Sequence, residues 1–236
     1  VFISPDILSG LFLLTLEGYT QYFRGMLDMR SNKLNRLVKI SLLGVIGFLL
    51  MFIEVAIPVF PSFLQIDISD LPALIGTFAL GPGAGVAIEL LKNILHGIFD
   101  GKTAFIGEFA NFAVGSVLVF TAGYLYNRHK TKKTAAISLG VATIAMSVSA
   151  AVLNYFVLLP LYEKLLNFPI SAMVAAAGKV NGSITDINTL ILFAIVPFNL
   201  LKGLVLTALT LVLYKSVSPI LKQEQSKSRG LAEHNN

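Results

Sequence analysis

Residues 71 to 99 read LPALIGTFALGPGAGVAIELLKNILHGIF. The block is long enough for one membrane span, but Gly81-Pro82-Gly83 lies near its middle, and such a triplet breaks helices and forms turns. Two helices are therefore expected, over about residues 70 to 81 and 83 to 99. The first arm, Leu71 to Leu80, reaches only ~15 Å at 1.5 Å per residue, short of the ~30 Å of a hydrocarbon core. It must tilt, sit in thinned bilayer, or lie buried among neighbours.

The rest of the chain sets that block in a membrane. Of 236 residues, 55% are hydrophobic and only 13% charged, with a mean hydropathy of +0.77. A soluble domain carries about 25% charged residues. Other long apolar runs occupy 37 to 60, 104 to 126, 134 to 160 and 188 to 214. They stay apolar on every face, whereas barrel strands would alternate. The net charge of +5 collects in RSNKLNRLVK (30–39), NRHKTKK (127–133) and KQEQSKSR (222–229), each close to an apolar end. These are cytoplasmic flanks by the positive-inside rule. With no soluble domain and no interleaved aromatics to stack bases, they do not suggest nucleic-acid binding.

If 30–39 and 127–133 are both cytoplasmic, an even number of crossings lies between them, which splitting the 71–99 block supplies. The expected fold is an all-α integral membrane protein of six transmembrane helices, at about 37–59, 70–81, 83–99, 104–127, 133–161 and 188–216. Both termini are cytoplasmic and the second helix is short. External loops fall at 60–69 and 162–187, where proline, glycine and Asn181-Gly182 collect. Residues 1–29 read as an extension, disordered or not native, with Met26 and Met29 as candidate natural starts. Residues 30–218 form the six-helix membrane domain, and 219–236 a polar, disordered cytoplasmic tail.

Polar groups inside the apolar runs mark candidate sites. Lys202 lies near the centre of the last run, where a charge costs ~2.5 to 3.5 kcal/mol and so faces a cavity or a partner. Either it contacts a ligand, or it is an ion-pair partner of Glu89 or Glu108. Asn199 is three residues earlier on the same helical face, and Pro197 frees a backbone carbonyl beside it. Asn154, in the outer half of the fifth helix, offers both donor and acceptor. Glu89 to Lys92 is i,i+3 and Lys92 to His96 is i,i+4, so mutual pairing can satisfy these charges and Glu108 without any ligand. Asp70 and Pro72 read as a helix start. Ser41, Gly44 and Gly47 make a small-residue face for close helix approach, within this chain or against a partner. The three histidines form no close-spaced metal set, cysteine is absent, and no HExxH, GxSxG or phosphate-binding loop occurs. Nothing here reads as an enzyme.

The loop and first helix LQIDISDLPALIGTFALGPGAG (64–85), then ELLKNILHGIF (89–99), the Asn154 helix and PFNLLKG (197–203), occur in an order that resembles the riboflavin-specific S components of energy-coupling factor (ECF) transporters. The resemblance spans about residues 33 to 218. It implies a multi-pass subunit of the prokaryotic cell membrane that captures riboflavin outside, holding it as cargo with no cofactor. It also implies a partnership with a transmembrane coupling subunit and two ATPase subunits. By the same resemblance Asn154, Asn199 and Lys202 contact the flavin, and the loop from Leu64 through Asp67 and Ile68 is a lid. Ser41, Gly44 and Gly47 would dock the coupling subunit, although the family often has an alanine-rich face there. Two other readings stay open: an S component for another vitamin, since one fold hosts many pockets, and an autonomous transporter relaying protons through Glu89, Lys92 and Glu108.

Overall fold

The computed structural model describes residues 33–101 and 103–233, with side chains described as far as residue 214. The expected extension over residues 1–29 lies outside the described residues. Among the described residues, the regular structure is helical apart from one short hairpin. Helix α1 spans Lys33–Met51, and β1 (Val55–Ala56) then pairs antiparallel with β2 (Gln65–Ile66), Val55 opposite Ile66. Helix α2 covers Asp70–Leu80, α3 Pro82–Phe99 and α4 Ile106–Tyr126. Helix α5 covers Lys132–Leu166, and α6 is Ile170–Val180. Helix α7 opens at Ile187–Leu190, widens to a π turn over Ile191–Ile195 and continues as Val196–Glu233.

The break at Gly81 is as expected. Gly81 has φ 97° and ψ 167°, a backbone region essentially restricted to glycine. Its N–H still bonds Thr77 O at 2.9 Å, closing α2, and Pro82 opens α3 where no N–H is needed. The two arms then pack tightly. A Cβ on Gly85 would collide with Thr77 and lie 3.2 Å from Ala73 O.

Three boundaries differ from expectation. Helix α1 stops at Met51 rather than 59, because Pro58 and Pro61 cannot continue it and the β-branched Ile53, Val55 and Ile57 favour extended backbone. An 11-residue helix, α6, occupies part of the expected 162–187 loop. Pro169 caps it and its alanines favour helix, outweighing Gly178. Helix α7 runs on past Pro219, through a lysine- and glutamine-rich stretch of good helix formers, where a disordered tail was expected.

Both π turns stand before a proline. In α5 the turn Asn154–Leu158 precedes Pro160, and in α7 the turn Ile191–Ile195 precedes Pro197. Widening the ladder accommodates a ring that would clash with the carbonyl one turn back.

Among the described residues, four helices are long and apolar enough to cross a bilayer: Lys33–Met51, Ile106–Tyr126, Lys132–Leu166 and Ile187–Tyr214. Large apolar side chains such as Leu49, Ile94, Phe120, Val148 and Leu204 face outward, while Glu89, Lys92, Asp70 and Lys202 are buried. That inversion fits lipid as the solvent. Leu74, Phe78, Ile88, Leu118, Leu139 and Leu206 form a core among α2, α3, α4, α5 and α7. A second core, including Leu159, Met173, Ala177 and Leu190, joins α5 and α6 to the start of α7.

Gly81→Ala should therefore destabilise the fold by about 1 kcal/mol or more, since alanine meets a steric penalty at this φ. Thermal unfolding in detergent, followed by far-ultraviolet circular dichroism, measures it; an unchanged midpoint would contradict the assignment.

Candidate functional site

A cavity of about 630 Å³ opens among the β2–α2 loop, α3, α4, α5 and α7, a size typical of small-molecule sites. Three of its lining residues, Asp67, Asp70 and Lys202, belong to a cluster of five buried ionisable groups that also includes Glu89 and Lys92. Lys202 Nζ lies 3.0 Å from Asp67 Oδ2 and 3.0 Å from Asp70 Oδ2. The other Asp70 oxygen pairs with Lys92. Lys92 Nζ also donates to Ser69 Oγ at 2.9 Å and stands 2.9 Å from Glu89 Oε2. That last contact is an ion pair without hydrogen-bond geometry, and neither Glu89 oxygen has a hydrogen-bond partner among the described residues.

Desolvating such charges costs several kcal/mol per ion, and only close pairing with further hydrogen bonds offsets it. The pairing here links elements far apart in sequence: the loop, α2, α3 and α7. Asp67 Oδ1 accepts the Ser69 N–H at 2.8 Å, holding the loop against its own following turn. Two glycines leave room for the cluster. A Cβ on Gly47 of α1 would lie 3.2 Å from Lys92 Cδ, and one on Gly115 of α4 would lie 2.7 Å from Glu89 Oε2.

Several expectations change on these contacts. Lys202 is an ion-pair partner, but of Asp67 and Asp70 rather than Glu89 or Glu108, and it still lines the cavity. The Asp70 side chain does not cap α2; its carboxylate is taken by the two lysines. Gly44 and Gly47, expected on a face for close helix approach, are buried on the inner side of α1 against Leu91 and Lys92 of this same chain. Ser41 is exposed. Glu89 pairs with Lys92 as the i,i+3 spacing suggested, whereas His96 turns to Glu108.

The walls carry the asparagines. Asn154 Nδ2 donates to Ala150 O at 2.8 Å and Asn199 Nδ2 to Ile195 O at 2.8 Å. Each amide is thus anchored through its nitrogen to its own helix, leaving the oxygen as an acceptor at the cavity wall. Leu64 and Asp67 of the loop also line the cavity; Ile68 does not. The opposite wall was not singled out as a ligand site by the sequence. There His96 Nδ1 is 3.0 Å from Glu108 Oε1, and Thr103 Oγ1 donates to Glu108 Oε2 at 2.8 Å. The signal was present in HGIFDGKTAFIGE (96–108), a short polar corner between two apolar helices.

An apolar exterior, paired interior charges and an open cavity with apolar and polar walls define an integral membrane protein shaped to hold a small molecule. More particularly, the chain belongs to the family described as ECF transporter, substrate-specific component, whose model matches residues 35–214. That family consists of transporter components, not enzymes. The chain is 37% identical over 200 residues to the riboflavin transporter RibU of Staphylococcus aureus (strain TCH60), covering 85% of this chain and 98% of that protein. It is 34% identical over 196 residues to the riboflavin transporter FmnP of Bacillus subtilis (strain 168), covering 82% and 97%. A solved structure of the S component of a bacterial ECF transporter matches with a TM-score of 0.64 at 35% identity, covering 80% of this chain and 99% of that one.

Because Asp70 serves both lysines, Asp70→Asn should cost about 3–5 kcal/mol of stability. Glu89→Gln should cost much less, since its oxygens accept no hydrogen bond. Denaturation midpoints of the two variants in one detergent test the ranking, and a reversed order would contradict it.

Proposed function

We propose that this chain is the riboflavin-capturing subunit of an ECF transporter of the prokaryotic plasma membrane. The observation that carries the reading is the cavity joining Lys202, Asn154 and Asn199, a donor and two anchored amides, in a chain whose relatives are named riboflavin transporters. A flavin ring offers carbonyl and nitrogen acceptors at one end and an apolar surface at the other, which suits an ammonium set among apolar walls. Leu64 and Asp67 form the covering loop. Lys202 meets the ring by sharing its protons between the aspartates and a ring carbonyl, since an ammonium has three donors.

In this reading six helices cross the membrane: α1, α2, α3, α4, α5 and α7, with both termini cytoplasmic. The basic flanks at 30–39, 127–133 and 222–229 support that orientation. Helix α6 and the hairpin then lie at the outer face, beside the cavity mouth. The chain has no phosphate-binding loop, so energy comes from a coupling subunit and two ATPase subunits. The coupling subunit docks on the lipid-facing side of α1, where Ser41 and Leu42 are exposed. A proton relay through Glu89 and Lys92 is disfavoured, because Lys92 is already held by Asp70 and Ser69.

Titration of riboflavin into the purified chain, followed by quenching of flavin fluorescence, should show saturable binding to one site. Asn199→Ala should weaken it about tenfold. No binding by the folded wild type, or preference for an unrelated vitamin, would overturn the assignment.

A further inference from the structure

The cavity has a second polar wall that the flavin ring does not need. It stands where α3 gives way to α4. Glu108 spends one oxygen on His96 Nδ1 (3.0 Å) and the other on the Thr103 hydroxyl (2.8 Å). Thr103 Oγ1 in turn accepts the Gly107 N–H at 3.1 Å. His96, Thr103 and Glu108 all line the cavity, and His96 and Glu108 are 7% and 6% exposed. Asn111, one turn further along α4, lines it too and makes no side-chain hydrogen bond among the described residues.

The corner is held in this form by its backbone. Gly101, Ala104 and Phe105 all have positive φ, 49°, 48° and 66°, two of them in residues that seldom adopt it. Phe105 lies over Gly97, where a Cβ would collide with its ring. The turn thereby carries Thr103 back onto Glu108.

Chemically the two walls differ. A carboxylate has about four acceptor positions, so Glu108 keeps roughly two after serving His96 and Thr103. The Asn111 amide is unspent. Across the cavity, Lys202 supplies an ammonium, and Asn154 and Asn199 supply amides anchored to their own helices. The acceptor-rich corner calls for a ligand part that donates several O–H groups and carries no negative charge.

We propose that His96, Thr103, Glu108 and Asn111 form a polyol subsite that receives the hydroxyl chain of the ligand, with Glu108 as the principal acceptor. This rests on the riboflavin reading, in which the ring lies toward Lys202 and the ribityl chain toward α4. The subsite makes hydroxyl number and position on that chain a determinant of specificity, independent of ring recognition.

The test compares riboflavin with lumiflavin, the same ring bearing a methyl in place of ribityl, on wild type, Glu108→Gln and Thr103→Val. Glu108→Gln should weaken riboflavin about tenfold or more while lumiflavin changes less than about twofold. Thr103→Val, which leaves the Glu108–His96 contact in place, should show the same selectivity with a smaller loss. Asn199→Ala should weaken both ligands alike. Equal losses for the two ligands in Glu108→Gln and Thr103→Val, or no loss for either, would overturn the subsite and leave riboflavin binding standing. A wild type that binds neither ligand would overturn both.

Discussion

The structure depends on one carboxylate, that of Asp70. It stands at the head of α2, an 11-residue helix, and pairs with Lys92 from α3 and Lys202 from α7. Without it, two buried ammonium groups would lose their shared partner, at a cost comparable to much of a domain's net stability. With it, the short α2 is fixed against the longer helices despite being unable to span a bilayer alone. Asp67 adds the loop to the same cluster through Lys202. Scaffold and cavity lining thus share one set of contacts.

This arrangement follows from the solvent. In lipid, apolar side chains gain nothing by turning inward, so the exterior is leucine, isoleucine, valine and phenylalanine. Charges gain most from being inside, provided they find each other. The small residues Gly47 and Gly115 give the charged cluster its space, and Asn154 and Asn199 line the same cavity as Asp67, Asp70 and Lys202. A polar cavity inside an oily shell is therefore where a hydroxylated, partly aromatic molecule is better held than in the surrounding membrane.

Much of this was legible from residues alone, for local reasons. Gly81-Pro82 announces its break because one residue needs an unusual backbone and the next lacks an N–H. Lys202 announces a buried function because nothing else tolerates a charge at that depth. What stayed hidden was pairing across the fold. Asp70 looked like a helix cap because a cap is the commonest local use of aspartate, and its lysines lie 22 and 132 positions away. The inward turn of Gly44 and Gly47 is likewise settled only by Leu91 and Lys92 facing them. Helix α6 was hidden by Gly178 and by a flanking proline and asparagine that cap a helix as readily as they make a loop.

One cavity beside the Asp70 cluster is proposed to hold a flavin between two polar walls. A crystal structure of the chain with riboflavin tests it most directly. The account predicts the ring between α5 and α7 within hydrogen-bonding distance of Lys202 and Asn199, and the ribityl hydroxyls on Glu108. Riboflavin bound outside this cavity, or inside it with Lys202 still committed wholly to Asp67 and Asp70, would contradict it.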